Sequence, residues 1–132
     1  MRKIILFIML FVCAILNAQT YSYRSTQFAF KTKNYYGIWN DWSHWQKSDL
    51  LITINFDTDV VTIFSNMKQV YTITNCEGNY TDSSGGKQVK FWFTDQDGDR
   101  GNIRFRIEQN QNSQIYIEYS DIIWVYNIRL IQ

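Results

Sequence analysis

The chain has 132 residues, with 13 Lys and Arg against 12 Asp and Glu. That length suits one domain with one core. The near-neutral charge argues against nucleic acid, whose binders carry a basic stripe, and against strong electrostatic adhesion to anionic lipid.

Met1-Arg2-Lys3 opens the chain with positive charge, Ile4 to Leu16 is uncharged and apolar, and Asn17-Ala18 closes the segment. A basic start, an apolar run and a small residue form a secretory signal peptide. The run is too short for a transmembrane helix, which needs about 20 apolar residues. We therefore read residues 1–18 as an N-terminal signal helix and 19–132 as the exported domain, secreted or periplasmic, with no membrane span after cleavage. Removing 18 of 132 residues leaves 114, and the loss of Arg2 and Lys3 turns the formal charge to −1. Cys13 leaves with the signal, so Cys76 is expected to be a core or edge thiol, or to pair with another chain. Val12 stands before Cys13 where a lipidated cysteine would follow a small residue.

Phe28 and Phe30 mark a first strand. The stretch Tyr35–Lys47 fits no clean period. Trp39, Trp42 and Trp45 are spaced by three, as on a helix face, but Gly37, Asn40, Asp41 and Ser43 are poor helix residues. An irregular strand is favoured, with Trp39 buried and Trp42 or Trp45 at its rim.

Further along, period-two alternation recurs: Leu50-Ile52-Ile54-Phe56, Val60-Thr62-Phe64, Gln69–Thr74, Val89-Phe91-Phe93, Ile103-Phe105-Ile107 and Ile115-Ile117-Tyr119. Such alternation marks half-buried strands. Ile122–Ile131 is apolar on both faces, as in a central or covered strand. The gaps are short and rich in turn formers: Asp57-Thr58-Asp59, Ser65-Asn66, Glu77-Gly78-Asn79, Ser83–Gly86, Asp97-Gly98, Asn110–Ser113 and Ser120-Asp121. Short gaps force antiparallel neighbours. There is no proline to interrupt a ladder. The expected fold is all-β, a single antiparallel meander of about eight to ten strands. It forms a small up-and-down barrel or a curled sheet, with a β-sandwich as the alternative.

Side-chain pairing predicts register. Setting Ile107 opposite Ile117 places Arg106 against Glu118 and Phe105 against Tyr119, closing a loop of about three residues. A two-residue turn at Ser120-Asp121 sets Ile117 opposite Trp124 and Ile115 opposite Tyr126. Trp92 is expected opposite Arg104 or Arg106.

Candidate chemistry is sparse. Asp95, Asp97 and Asp99 alternate as carboxylates that could converge on calcium. Counted from Asp95, however, Arg100 and Arg106 stand where an EF-hand needs Gly and Glu, so a solvated turn is the simpler reading. His44 is the only histidine. Its neighbours Ser43 and Asp41 do not make a triad along one strand, and a zinc site wants several Cys or His ligands. No metal and no cofactor are expected. Asn79-Tyr80-Thr81 matches a glycosylation sequon, which matters only in a eukaryotic secretory route.

Aromatic side chains are the main functional lead, because exposed Trp and Tyr offer large rigid surfaces with a polar handle. The candidates are Tyr35, Tyr36, Trp39, Trp42 and Trp45, and separately Trp92 beside Arg104 and Arg106. Gly37-Ile38-Trp39 resembles the G-x-W signature near the first strand of lipocalin-like barrels. The resemblance implies a cup that binds a small apolar ligand; a strand precedes the motif here, and no second family motif follows. The expected function is non-enzymatic binding of a small molecule, glycan or protein through an aromatic surface or cavity. Pairing of a strand edge in an envelope-associated protein is the alternative, and a hydrolase ranks last because its carboxylates cluster at turns.

Overall fold

The computed structural model describes residues 20–108 and 112–131. The signal segment, the cleavage point before Gln19 and the centre of the turn near Asn110 lie outside the described residues. Nine strands follow one another: β1 (Thr20–Thr32), β2 (Gln46–Lys47), β3 (Leu51–Asn55), β4 (Val60–Ile63), β5 (Gln69–Thr81), β6 (Lys87–Asp95), β7 (Arg100–Ile107), β8 (Ser113–Glu118) and β9 (Ile122–Leu130). All pairings are antiparallel, in the order β2-β1-β3-β4-β5-β6-β7-β8-β9, and β1 also pairs with β9. That last pairing closes eight strands into a barrel, with β2 outside the ring. A closed barrel, not a sandwich, is the architecture.

Closure depends on β1 having two neighbours on one side. Its first half pairs with β3, from Thr20↔Asn55 to Arg24↔Leu51. Past a bulge between Ser25 and Gln27, its second half meets β2 and the irregular run before it. Ser25 is buried at this changeover because its hydroxyl has work there. It bonds the Ser48 hydroxyl at 2.7 Å and accepts the Leu50 N–H at 2.8 Å.

The alternating residues of β3 and β6–β9 point inward as expected. Ile52, Ile103, Ile115 and Ile117 are fully buried. Rings fill the rest in two chains. Tyr71, Phe93, Tyr119 and Trp124 lie 4.7, 5.4 and 5.8 Å apart in succession. Phe56, Phe91, Phe105 and Tyr23 follow at 6.2, 6.4 and 5.9 Å. Among the described residues, these rings and the buried isoleucines line the barrel interior, as side chains do in small barrels. Burial pushes the Tyr23 phenol up to about 12, with Tyr21 adding in the same direction, so it stays neutral in the core.

The β8–β9 register agrees with the expectation: Ile117 faces Trp124 and Ile115 faces Tyr126. Five other expectations are corrected. Glu118 lies opposite Asn102, and Arg106 opposite Gln114, so the β7–β8 register is displaced by four residues while the faces stay the same. The connection is longer than expected: Ile107 pairs with Ser113, and Glu108 N–H donates to the Asn112 carbonyl at 2.9 Å. Trp92 lies opposite Asn102, not an arginine. Glu77-Gly78-Asn79 is no turn but part of β5, which has bulges between Ile73 and Asn75 and between Cys76 and Gly78. Gly78 takes a φ of 108° there, a conformation glycine adopts without strain. In β4 the buried residues are Val61 and Ile63, so Val60, Thr62 and Phe64 form the outward set.

Candidate functional site

The run between β1 and β2 is neither helix nor regular strand. It returns alongside β1 through scattered backbone bonds: Asn40 N–H to the Thr32 carbonyl, Ser43 N–H to that of Phe30 and Ser48 N–H to that of Thr26. Its tip is a tight hairpin capped by one side chain. Asn34 Oδ1 accepts the N–H groups of Tyr36 and Ile38 at 2.8 and 3.1 Å, and Gly37 supplies a φ of 80°. Tyr35 and Tyr36 stand at this tip, 95% and 82% exposed, with ring centroids 5.5 Å apart. Trp39 is half-buried and bridges to Lys33. Trp42 and Trp45 are exposed on the return. Gly37-Ile38-Trp39 thus lies outside the barrel and after its first strand.

Trp42 decides the character of the outer wall. Its ring lies 6.4 Å from Tyr116 of β8 and 4.8 Å below Lys31 Nζ of β1. Because β9 runs between β8 and β1, the indole must cross β9. Beneath it Val125 pairs with both Tyr116 and Ala29. Val125 and Ala29 face outward, yet they are 3% and 2% exposed. The second apolar face of β9, expected of a central or covered strand, is a covered outer face.

Strand register arranges this wall in rows. Lys90, Arg104, Tyr116, Val125 and Ala29 form the middle row. The Arg104 guanidinium carbon lies 3.9 Å from the Tyr116 ring centroid. The same group donates to Glu118 at 2.7 Å and to Gln88 Oε1 at 3.0 Å. On one flank Arg106, Gln114, Asn127 and Gln27 lie in register. Gln114 Nε2 donates to Asn127 Oδ1 at 2.9 Å, and Asn127 Nδ2 to Gln27 Oε1 at 3.1 Å. On the other flank Trp92, Asn102 and Glu118 follow one another, with Lys90 Nζ 5.2 Å from the Trp92 ring.

Of the residues expected to form a site, Trp39, Trp42 and Arg104 meet around Lys31 and Tyr116. Arg106 belongs to a separate knot. Its Nε donates to Asp82 at 2.8 Å, its NH2 to Ser84 Oγ at 2.9 Å and its NH1 to Glu108. The Arg106 guanidinium, then Gln88, hold the Asp82 carboxyl well below the usual carboxylate range. Asp82 and Glu108 converge on an arginine, an ion-paired arrangement and not an acid–base cleft. Tyr116, Lys31, Gln114 and Asn127 were absent from the expected set. The available sign was the polar phase of β8, where Tyr116 interrupts an otherwise hydrophilic face.

Asp95, Asp97 and Asp99 bring their oxygens within 4.8 Å of one another. Asp95 already uses both of its own. Oδ1 accepts the N–H groups of Asp97 and Asp99, and Oδ2 accepts the Tyr119 hydroxyl at 2.6 Å. Burial works to raise this carboxyl, but Tyr119 and the backbone of Asp99, Asp97 and Gly98 lower it on balance. The cluster therefore ties the β6–β7 turn to the barrel. Tyr119→Phe should cost about 1–2 kcal/mol by removing that hydroxyl, read as a lower urea midpoint with unchanged slope.

Asp59 and Phe56 face Ile73–Cys76 and Phe91 across a pocket of about 360 Å³, where β5 runs past the end of its pairing with β4 at Thr72. Cys76 lines it and is disulfide-bonded, not the core or edge thiol that was one of the two expectations for it. The only other cysteine, Cys13, lies outside the described residues.

No protein-family model matches the chain, and comparison with curated proteins and with solved structures returns no match.

Proposed function

We propose that the chain is an exported, non-enzymatic glycan-binding module that works through the outer face of β8, β9 and β1. The observation that carries this reading is Trp42 laid across β9 against Tyr116, beside the amide row Gln114, Asn127 and Gln27. A sugar ring offers an apolar C–H face and a rim of hydroxyls. A half-exposed indole suits the first, and amides that both donate and accept suit the second. Charge on this wall is matched internally, Arg104 by Glu118 and Arg106 by Asp82, which favours an uncharged polymer over nucleic acid.

The test is titration with cellohexaose, chitohexaose and xylohexaose, followed by tryptophan fluorescence. At least one should give saturable quenching. Trp42→Ala should weaken it about tenfold or more, as loss of a central aromatic contact does, and Gln114→Ala should weaken it less. Unchanged fluorescence with all three, together with no retention on cellulose, chitin or peptidoglycan, would retire the proposal.

A further inference from the structure

The hairpin tip beyond the glycan face is built differently. Tyr35, Tyr36 and Ile38 are 95%, 82% and 62% exposed, so three large side chains crowd four residues of chain. None of the three is needed by the barrel core. Isolated exposed apolar residues are ordinary, but a contiguous patch marks an interaction surface.

The backbone N–H groups of Asn34, Tyr36, Gly37 and Ile38 are bonded within the tip. Asn34 Oδ1 takes the N–H groups of Tyr36 and Ile38. Gly37 N–H donates to the Asn34 carbonyl at 2.9 Å, and Asn34 N–H to the Ile38 carbonyl at 2.8 Å. Unpaired backbone groups bar most loops from an apolar medium. This loop pairs four of its N–H groups internally, and its capped turn gives up little freedom on binding.

Behind the tip stand two cations. Lys33 Nζ lies 5.2 Å and Lys31 Nζ 5.4 Å from the Trp39 ring centroid. Asp41 and Asp121 lie near the base of the hairpin in the chain path, the latter accepting the Lys33 N–H through its carbonyl, so the net local charge is small. Tyrosines in front with lysines behind is the arrangement that settles at a lipid headgroup boundary. There the rings sit among the glycerol and upper acyl groups while the ammonium groups reach phosphate.

We propose that the tip Tyr35–Ile38 is a shallow anchor for a phospholipid surface. It holds the barrel at the face of a membrane with its outer wall free. The occupant is the interfacial zone of the bilayer, reached by Tyr35, Tyr36 and Ile38, with Lys33 against headgroup phosphate. Lipid binding here does not depend on the glycan reading, since the two use different side chains.

The experiment is flotation of the folded chain with vesicles of phosphatidylcholine alone and of phosphatidylcholine mixed equally with phosphatidylglycerol. The wild-type chain should float with both, more strongly with the anionic mixture. The triple variant Tyr35→Ser, Tyr36→Ser, Ile38→Ser should partition at least tenfold less, with an unchanged melting temperature because none of the three is buried. Lys33→Gln should lose only the extra affinity for the anionic vesicles. Failure of the wild-type chain to float with either vesicle at millimolar lipid overturns the proposal, as does a triple variant that floats equally well. So does a triple variant that loses hexasaccharide quenching, because the tip would then belong to the glycan face. Failure of hexasaccharide binding with flotation intact removes the glycan reading and leaves the anchor standing.

Discussion

Gly101→Ala is expected to lower the melting temperature by roughly 10 °C or more, or to prevent folding, although it adds a single methyl group. Gly101 is buried in β7 directly opposite Phe93. A Cβ there would lie 2.5 Å from the Glu118 carbonyl oxygen and 2.7 Å from Phe93 Cζ. Neither neighbour can yield easily. The carbonyl belongs to the backbone of β8, and the Phe93 ring is held between Tyr71 at 4.7 Å and Tyr119 at 5.4 Å. Overpacking of a filled core costs about 1–3 kcal/mol and sometimes more. A clash against fixed backbone belongs at the upper end, which for a domain of this size corresponds to roughly 10 °C. Phe93→Leu in the same chain should recover part of the loss, because it removes one of the two clashes. The check is thermal unfolding of both single variants and the double. A Gly101→Ala protein that melts within about 2 °C of wild type would show that the strands part freely there. Strict additivity in the double would show that the Phe93 ring is not what the methyl meets. Gly37, Gly78 and Gly98 have open space around them instead; their role is positive φ.

Much of the barrel was legible because β6 to β9 alternate cleanly and their inward residues are large. The β8–β9 register followed from a two-residue turn, which leaves little freedom. The β7–β8 register was missed for an instructive reason. Direct opposition of Arg106 and Glu118 is one way to join the charges, but an arginine is long enough to reach a diagonal neighbour. Arg104 does so here, and Arg106 turns instead to Asp82 in the β5–β6 turn. The observed register also sets Ile103 against Ile117 and Phe105 against Ile115, matching apolar side chains without using Tyr119. Glu77-Gly78-Asn79 looked like a turn because glycine serves bulges and turns by the same freedom in φ. The face of Trp42 and Tyr116 was only half legible. Tryptophans in an aperiodic run announce a surface. Where they land depends on the changeover of β1 from β3 to β2, a long-range event with no local signature.

Acid should unfold this protein partly through Asp82, and removing Arg106 should abolish or reverse that contribution. Asp82 lies at the centre of a five-bond cage. Oδ1 accepts the N–H groups of Ser84 and Gly86 and the Ser84 hydroxyl; Oδ2 accepts Gln88 Nε2 at 2.7 Å and Arg106 Nε at 2.8 Å. Gly86 permits the approach, since a Cβ there would stand 2.9 Å from Arg106 NH2. The carboxyl is lowered chiefly by Arg106 and then by Gln88. A group whose folded value lies below its unfolded one adds stability at high pH. That stability is complete above the unfolded value of about 3.9 and is lost as pH falls towards the folded one. The melting temperature should therefore fall steeply below about pH 4. Asp95 is also lowered and contributes with the same sign, so the informative quantity is the difference between variants. Asp82→Asn should be less stable than wild type at neutral pH and converge with it in acid. Arg106→Met should be the most damaging at neutral pH. It leaves Asp82 and Glu108, which both converge on that guanidinium, as near neighbours of like charge, and it removes the bond to Ser84 as well. Like charges without a cation resist ionisation, so protonation should relieve this variant and narrow its deficit as pH falls. Melting curves from about pH 7 down to about pH 2, a span that brackets the carboxylate range, decide the matter. If the Arg106→Met profile runs parallel to wild type throughout, the arginine does not set the Asp82 titration, and the knot is only a surface contact.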